Sequence, residues 1–269
     1  MGDGDGLFFF NFRADRGREL LSAFHFPDFS GFDRGRVPSL AGLASMTSYD
    51  AALHVPVAFP KENLVQTLGE VVGDLGLRQL RIAETEKYAH VTYFFSGGRE
   101  EPFPGEDRVL VDSPKDVATY DLKPQMSVVE VTDRFIEAWG DGSKAGYTLA
   151  VCNLANPDMV GHTGIVEAAR AATEAVDAGV GKVLSAIKRK GGVALVTADH
   201  GNADKMIAED GGAFTAHTTN PVPLVLVDAS GSNLSLSGAE GCLADIAPTL
   251  LAMIGLPQPA EMTGESLLA

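Results

Sequence analysis

The chain has 269 residues, 45% of them hydrophobic, with 36 acidic against 21 basic side chains and a formal net charge of −15. That length can bury a sizeable core in one large or two modest domains, and the acidic balance argues against nucleic acid or an anionic membrane surface as the main partner. No apolar run approaches the roughly 20 residues that span a bilayer, no basic region precedes an apolar one near Met1, and Cys152 and Cys242 show no zinc-type spacing, so a soluble protein of the reducing cytoplasm is expected.

Residues 7–12, Leu-Phe-Phe-Phe-Asn-Phe, read as a strand so apolar that it needs cover on both faces. An irregular stretch follows over 25–48, and residues 1–60 do not read as a complete folding unit. From residue 61 helices and strands alternate. Leu64, Leu68, Val71, Val72 and Leu75 form a helical stripe that Gly76 can stop. Gln79 to Ala83 reads as a strand ending near Glu84, and Val91 to Phe95 as another ending at Gly97-Gly98. Ser127 and Glu130 have capping-box spacing ahead of a helix with Val131, Phe135 and Trp139 on one face.

A strand over Tyr147 to Leu154 precedes a long helix in which Ile165, Ala169, Ala172, Val176, Val180, Val183 and Ile187 recur at steps of three and four. Gly191-Gly192 ends it. A buried strand follows over Gly192 to Val196, then a polar loop, a strand over Pro223 to Val227 and a helix over Asp245 to Ile254. This alternation predicts an α/β fold, a mostly parallel sheet with helices on both faces.

The chemistry-bearing residues gather at the ends of these strands, where open α/β sheets bind ligands. Asp199 and His200 follow one strand. Asp158 and His162 follow another and, four apart, share a face if helical. His217 lies in the next polar loop. Taken singly, each has a plain structural reading: a capped turn, a solvated helix start, a satisfied loop histidine. Together they form a carboxylate and imidazole set without thiolates, which suits manganese, zinc, cobalt or magnesium. Two such ions about 4 Å apart can hold the attacking and leaving oxygens of an in-line displacement. Arg13 and Arg16 after the first strand and Lys87 after another are candidate anion ligands, and spacing alone equally allows surface solubility or ion pairs with Asp15 and Glu84.

Taken together, several segments resemble the cofactor-independent (2,3-bisphosphoglycerate-independent) phosphoglycerate mutases of the alkaline-phosphatase-like metalloenzyme superfamily. They are Phe9 to Arg16, Glu84 to Thr92, Phe95 to Gly98, Ser113 to Asp121, Asn156 to Gly164, Thr197 to Asn202 and Ala216 to Thr218, in family order along nearly the whole chain. The resemblance implies an alkaline-phosphatase-like fold and interconversion of 3-phosphoglycerate and 2-phosphoglycerate in glycolysis through a phosphoserine intermediate. It implies that Asp158, His162 and His217 ligate one manganese-type ion (Mg2+, Co2+ or Zn2+ being alternatives) and Asp199 and His200 a second, with no organic cofactor. Arg13, Arg16 and Lys87 would hold the phosphate and carboxylate of the substrate.

The same resemblance implies that residues 1–60 are the C-terminal remnant of an inserted transferase domain and residues 61–269 a metal-binding phosphatase-like domain without its N-terminal segment. In the family that segment carries the nucleophilic serine and an aspartate ligand of the second metal, and no serine of this chain stands in a matching context. The expectation is a C-terminal part, inactive alone, with a complementary N-terminal half as partner. The alternatives are another metal-dependent phosphatase or phosphomutase of the superfamily, or a non-catalytic metal-binding fragment.

Overall fold

The computed structural model describes residues 1–12, 14–50, 52–60, 62–140 and 146–269, with only the backbone described at 14–16. The chain divides into two compact units, Met1–Asn63 and Leu64–Ala269.

In the first unit, strands β1 (Gly6–Phe9), β2 (Gly42–Thr47) and β3 (Val57–Phe59) form a parallel sheet in that order, with helix α1 (Ala14–His25) between β1 and β2. Leu21, Tyr49 and Leu53 make its small core, packed with Phe9, Phe26, Leu43 and Val55. Of the expected run 7–12 only Leu7 to Phe9 is strand, and alternation half-buries Leu7 and Phe9, the latter edge-on to Tyr49. Phe8, Phe10 and Phe12 are exposed. Cover on both faces is not what the described residues provide.

The second unit is built on β4 (Gln79–Glu84), flanked by β5 (Glu106–Val111) and β6 (Leu149–Cys152), all parallel. Every residue of β4 is buried, as befits a central parallel strand. Its two faces lead to separate cores. Leu80 and Ile82 pack with Val131 and Phe135 of α4 (Val128–Gly140) and Ile187 of α6 (Val166–Arg189). On the other face, Leu68, Val71 and Val72 of α2 (Leu68–Asp74) meet Leu149 and Leu251, the latter on α7 (Ile246–Met253). Each fully buried aliphatic or aromatic side chain in these cores contributes about 1.5–3 kcal/mol. Gly76, at φ +68°, lets the chain turn out of α2 as the stripe predicts.

Three readings need correction, and one strand has no counterpart among the expected elements. Residues 91–95 are not a strand: α3 (Thr85–Val91) runs directly from the end of β4, and turns continue it through Thr92 N to Tyr88 O, Phe94 N to Ala89 O and Ser96 N to Thr92 O. The Val, Tyr and Phe content suggests a strand, but local hydrogen bonds hold helical turns. Strand β5 has no apolar alternation at its start, because Glu106 and Arg108 satisfy each other beside it, and it escapes a periodicity search. The Ser127 hydroxyl donates to the Asp112 carbonyl (2.7 Å), which ties α4 to the end of β5. Finally, β7 (Val193–Val196) is half-buried rather than buried and pairs antiparallel with β8 (Val225–Asp228).

Candidate metal centre

Three segments converge beyond the carboxyl ends of β4, β6 and β7. After β6 the chain enters α5 (Asn156–Gly161), with Pro157 in its first turn, where a missing N–H costs nothing. His162 follows with helical backbone (φ −61°, ψ −16°), so Asp158 and His162 share a face. His217 comes from the loop before β8. Ligand atoms of Asp158, His162 and His217 all lie within 4.8 Å of one another. His162 Nε2 is 3.2 Å and His217 Nε2 3.1 Å from Asp158 Oδ1, and the two imidazole nitrogens are 3.1 Å apart.

This donor set fits a divalent ion. The Thr215 carbonyl, 2.7 Å from His162 Nδ1, can only accept, so Nδ1 carries the proton and a neutral ring turns an Nε2 lone pair toward Asp158. Two ring nitrogens and a carboxylate oxygen facing one another repel unless a proton or a cation lies among them. Bonds of roughly 2.1 Å place neighbouring ligand atoms about 3.0 Å apart in an octahedron and about 3.4 Å in a tetrahedron, and the observed spacings lie between.

Asp158 is only 15% exposed and carries two further contacts. Lys87, buried one turn into α3, donates to Oδ2 (2.6 Å), and Asn202 Nδ2 donates to Oδ1 (2.7 Å) and to the Asp158 carbonyl (3.1 Å). Burial alone would push the Asp158 carboxyl up. The hydrogen bonds from Lys87 and Asn202 and the charge of Lys87, joined by that of His162 when its ring is protonated, overturn that and hold it at about 2.

Asp199 and His200 sit beside this group but do not join it. Their nearest ligand atoms are 3.7 Å apart, and the His200 ring stacks on that of His217 (centroids 3.7 Å, 20°). Gly201 makes this possible. Thr218 N–H donates to the Gly201 carbonyl (2.8 Å), and a Cβ on Gly201 would lie 2.1 Å from Thr218 Oγ1. Asp204 accepts from Thr218 Oγ1 (3.0 Å) and Asn220 Nδ2 (2.6 Å), tying the turn after β7 to the His217 loop.

Of the expected site residues, the structure brings together Asp158, His162, His217 and Lys87, with Asp199 and His200 adjacent. Arg13 lies outside the described residues, and Arg16 falls on α1 where the backbone alone is described. Sequence reasoning gave no role to Asn202 or Asp204. It also passed over His90, one turn beyond Lys87, whose pKa burial lowers and which feels the charges of Lys87, Asp199, Asp158 and His200.

A largely buried carboxylate and two imidazoles beyond the carboxyl ends of α/β strands make a candidate divalent-metal site on an α/β fold. The comparisons with known proteins agree. The model of the Metalloenzyme superfamily matches residues 29–258, and one described as "BPG-independent PGAM N-terminus (iPGM_N)" matches residues 1–51. The chain belongs to the metalloenzyme superfamily and has its alkaline-phosphatase-like fold. It is 59% identical over 268 residues to a protein of Lawsonia intracellularis named 2,3-bisphosphoglycerate-independent phosphoglycerate mutase, covering 99% of this chain and 51% of that protein. Proteins of the same name from Syntrophotalea carbinolica and Nitratidesulfovibrio vulgaris are 58% and 59% identical over 266 residues, with the same coverage. A solved structure of Leishmania mexicana phosphoglycerate mutase at low cobalt concentration superposes with a TM-score of 0.79 at 33% identity, covering 100% of this chain and 51% of that one. The chain thus spans about half the length of the curated relatives it matches. Among the described residues no helix is long and apolar enough to cross a membrane.

Proposed function

We propose that this chain is the metal-bearing part of a cytoplasmic phosphoglycerate mutase that interconverts 3-phosphoglycerate and 2-phosphoglycerate through a phosphoserine intermediate. The observation that carries this is the convergence of Asp158, His162 and His217 in a chain 59% identical to a protein of that name. Asp158, His162 and His217 hold one ion, and Asp199 and His200 contribute to a second. The donor set favours manganese, with magnesium, cobalt and zinc as alternatives. A bound divalent ion supplies Lewis-acid stabilisation of charge on a phosphoryl oxygen.

The chain's own residues do the rest of what this half can do. Lys87 brings a positive charge within reach of Asp158 and offers donors to a substrate phosphate, and Arg13 and Arg16 are the guanidinium groups suited to its phosphate and carboxylate. Residues 1–60 belong, on this reading, to an inserted transferase domain and 61–269 to a phosphatase-like domain. The serine nucleophile and the remaining ligands of the second ion come from a complementary half. Such a nucleophile must lie beside the metals to be activated.

The test is conversion of 3-phosphoglycerate to 2-phosphoglycerate by the purified chain, with Mn2+, and with and without the separately expressed N-terminal half of the Lawsonia intracellularis relative. Turnover that requires both and is abolished by Asp158→Ala is the expected result. Hydrolysis of an aryl phosphate, with no mutase turnover after complementation, would instead mark another phosphatase of the superfamily.

A further inference from the structure

We propose that Asn202 is the positioning residue for Asp158: its amide clamps the carboxylate to the backbone so that Oδ1 faces His162 and His217 as a one-oxygen ligand. This rests on the metal-site reading above. An aspartate carboxylate turns freely about its last torsion unless something holds it. Here one NH2 group donates both to Asp158 Oδ1 (2.7 Å) and to the Asp158 carbonyl (3.1 Å), bracing side chain against main chain. Lys87 occupies Oδ2 (2.6 Å). Each carboxylate oxygen has about two acceptor directions, so Oδ1 keeps one free, on the side where the two Nε2 atoms lie 3.2 and 3.1 Å away.

The amide has no other task among the described residues. Asn202 is 5% exposed, and its Oδ1 is buried without a hydrogen-bond partner. A flipped amide would set that oxygen against two acceptors, so the orientation is fixed by its neighbours. The oxygen rests in the space that Gly161 leaves at the end of α5. A Cβ there would come within 2.3 Å of Asn202 Oδ1. Asn202 and Gly161 therefore form one device: the glycine admits the amide, and the amide aims the carboxylate. Groups that orient a metal ligand typically govern 10–100-fold of metal affinity.

The experiment is Mn2+ titration of the metal-free 269-residue chain and of Asn202→Ala, Gly161→Ala and the double variant, with Co2+ absorption spectra as a second readout. Each single variant is expected to weaken Mn2+ binding about 10–100-fold and to alter the Co2+ bands. The double variant is expected to bind no more weakly than Asn202→Ala alone, because the added methyl no longer has an amide to displace. A general packing defect would give additive losses and leave the Co2+ bands of the bound ion unchanged. Gly161→Ala keeps every polar group, so it decides the matter if Asn202→Ala does not fold. Single variants that bind Mn2+ within about twofold of the parent, or additive losses in the double, overturn the inference while the metal site stands. A parent chain that binds no Mn2+ overturns the metal-site reading, and this inference with it.

Discussion

Replacing Lys87 with Met removes a buried positive charge while keeping a side chain of similar length. In the unsubstituted chain the Asp158 carboxyl is held down at about 2, where 3.8 is usual, although burial pushes the other way. Nearly two pH units at about 1.4 kcal/mol each make the ionised Asp158 worth about 2 kcal/mol of stability. Because the folded value is depressed, that contribution is complete above about pH 4 and is lost as the pH falls toward 2. Lys87 supplies both a hydrogen bond and a charge to it. Lys87→Met should therefore lower the unfolding free energy of the metal-free chain by about 2 kcal/mol at pH 7, and by as much as about 3–5 kcal/mol if the carboxylate finds no other partner. Urea denaturation at pH 7 and at pH 3 measures this, and the gap between parent and variant should narrow at the lower pH. Mn2+ at a hundred times its Kd should restore about 2.7 kcal/mol. A gap below about 0.5 kcal/mol, the ordinary range of surface substitutions, would refute the reasoning.

Other outcomes follow from single side chains. Glu84 is fully buried; burial pushes its carboxyl up, Ser113 and the Ser127 backbone pull it partly back, and Glu86 raises it again. With the folded value raised, folding is favoured at low pH and disfavoured as pH climbs through the unfolded value near 4.3. Glu84→Gln should thus gain stability relative to the parent between pH 4 and 7 in urea titrations; a constant difference would contradict this. The Cys152 thiol is pushed up to about 12 by burial, whereas Cys242 is exposed. Alkylation at pH 8 should modify Cys242 in the native chain and both cysteines in denaturant, and comparable native rates would contradict the placement. Gly201→Ala puts a methyl 2.1 Å from Thr218 Oγ1. It should lower stability by about 1–3 kcal/mol and weaken Mn2+ binding through the displaced His217 loop, and unaltered unfolding and binding would show that the loop accommodates it.

Much of the fold is legible in the sequence because burial imposes periodicity. The stripe from Ala169 to Ile187 becomes α6, and Gln79 to Ala83 becomes the buried centre of a parallel sheet. What escapes is structure held by specific partners. The β5 strand hides behind a Glu106–Arg108 pair, and the antiparallel pairing of β7 with β8 leaves no trace in either strand's pattern. At the centre, side-chain type and position gather Asp158, His162, Asp199, His200 and His217, and only the family resemblance separates Asp158, His162 and His217 as one ligand set. The contacts that tune them reach across the chain, from Lys87 and Asn202 to Asp158, and no local spacing records those meetings. Asn202 and Gly161 read as motif residues without chemistry until their shared space is seen.

The most direct test of the metal centre is anomalous diffraction from crystals of the chain soaked in Mn2+. A peak at the manganese edge bounded by Asp158 Oδ1, His162 Nε2 and His217 Nε2, absent in Asp158→Ala, is the predicted result. Manganese bound elsewhere, or none bound while the three side chains keep their places, would contradict it.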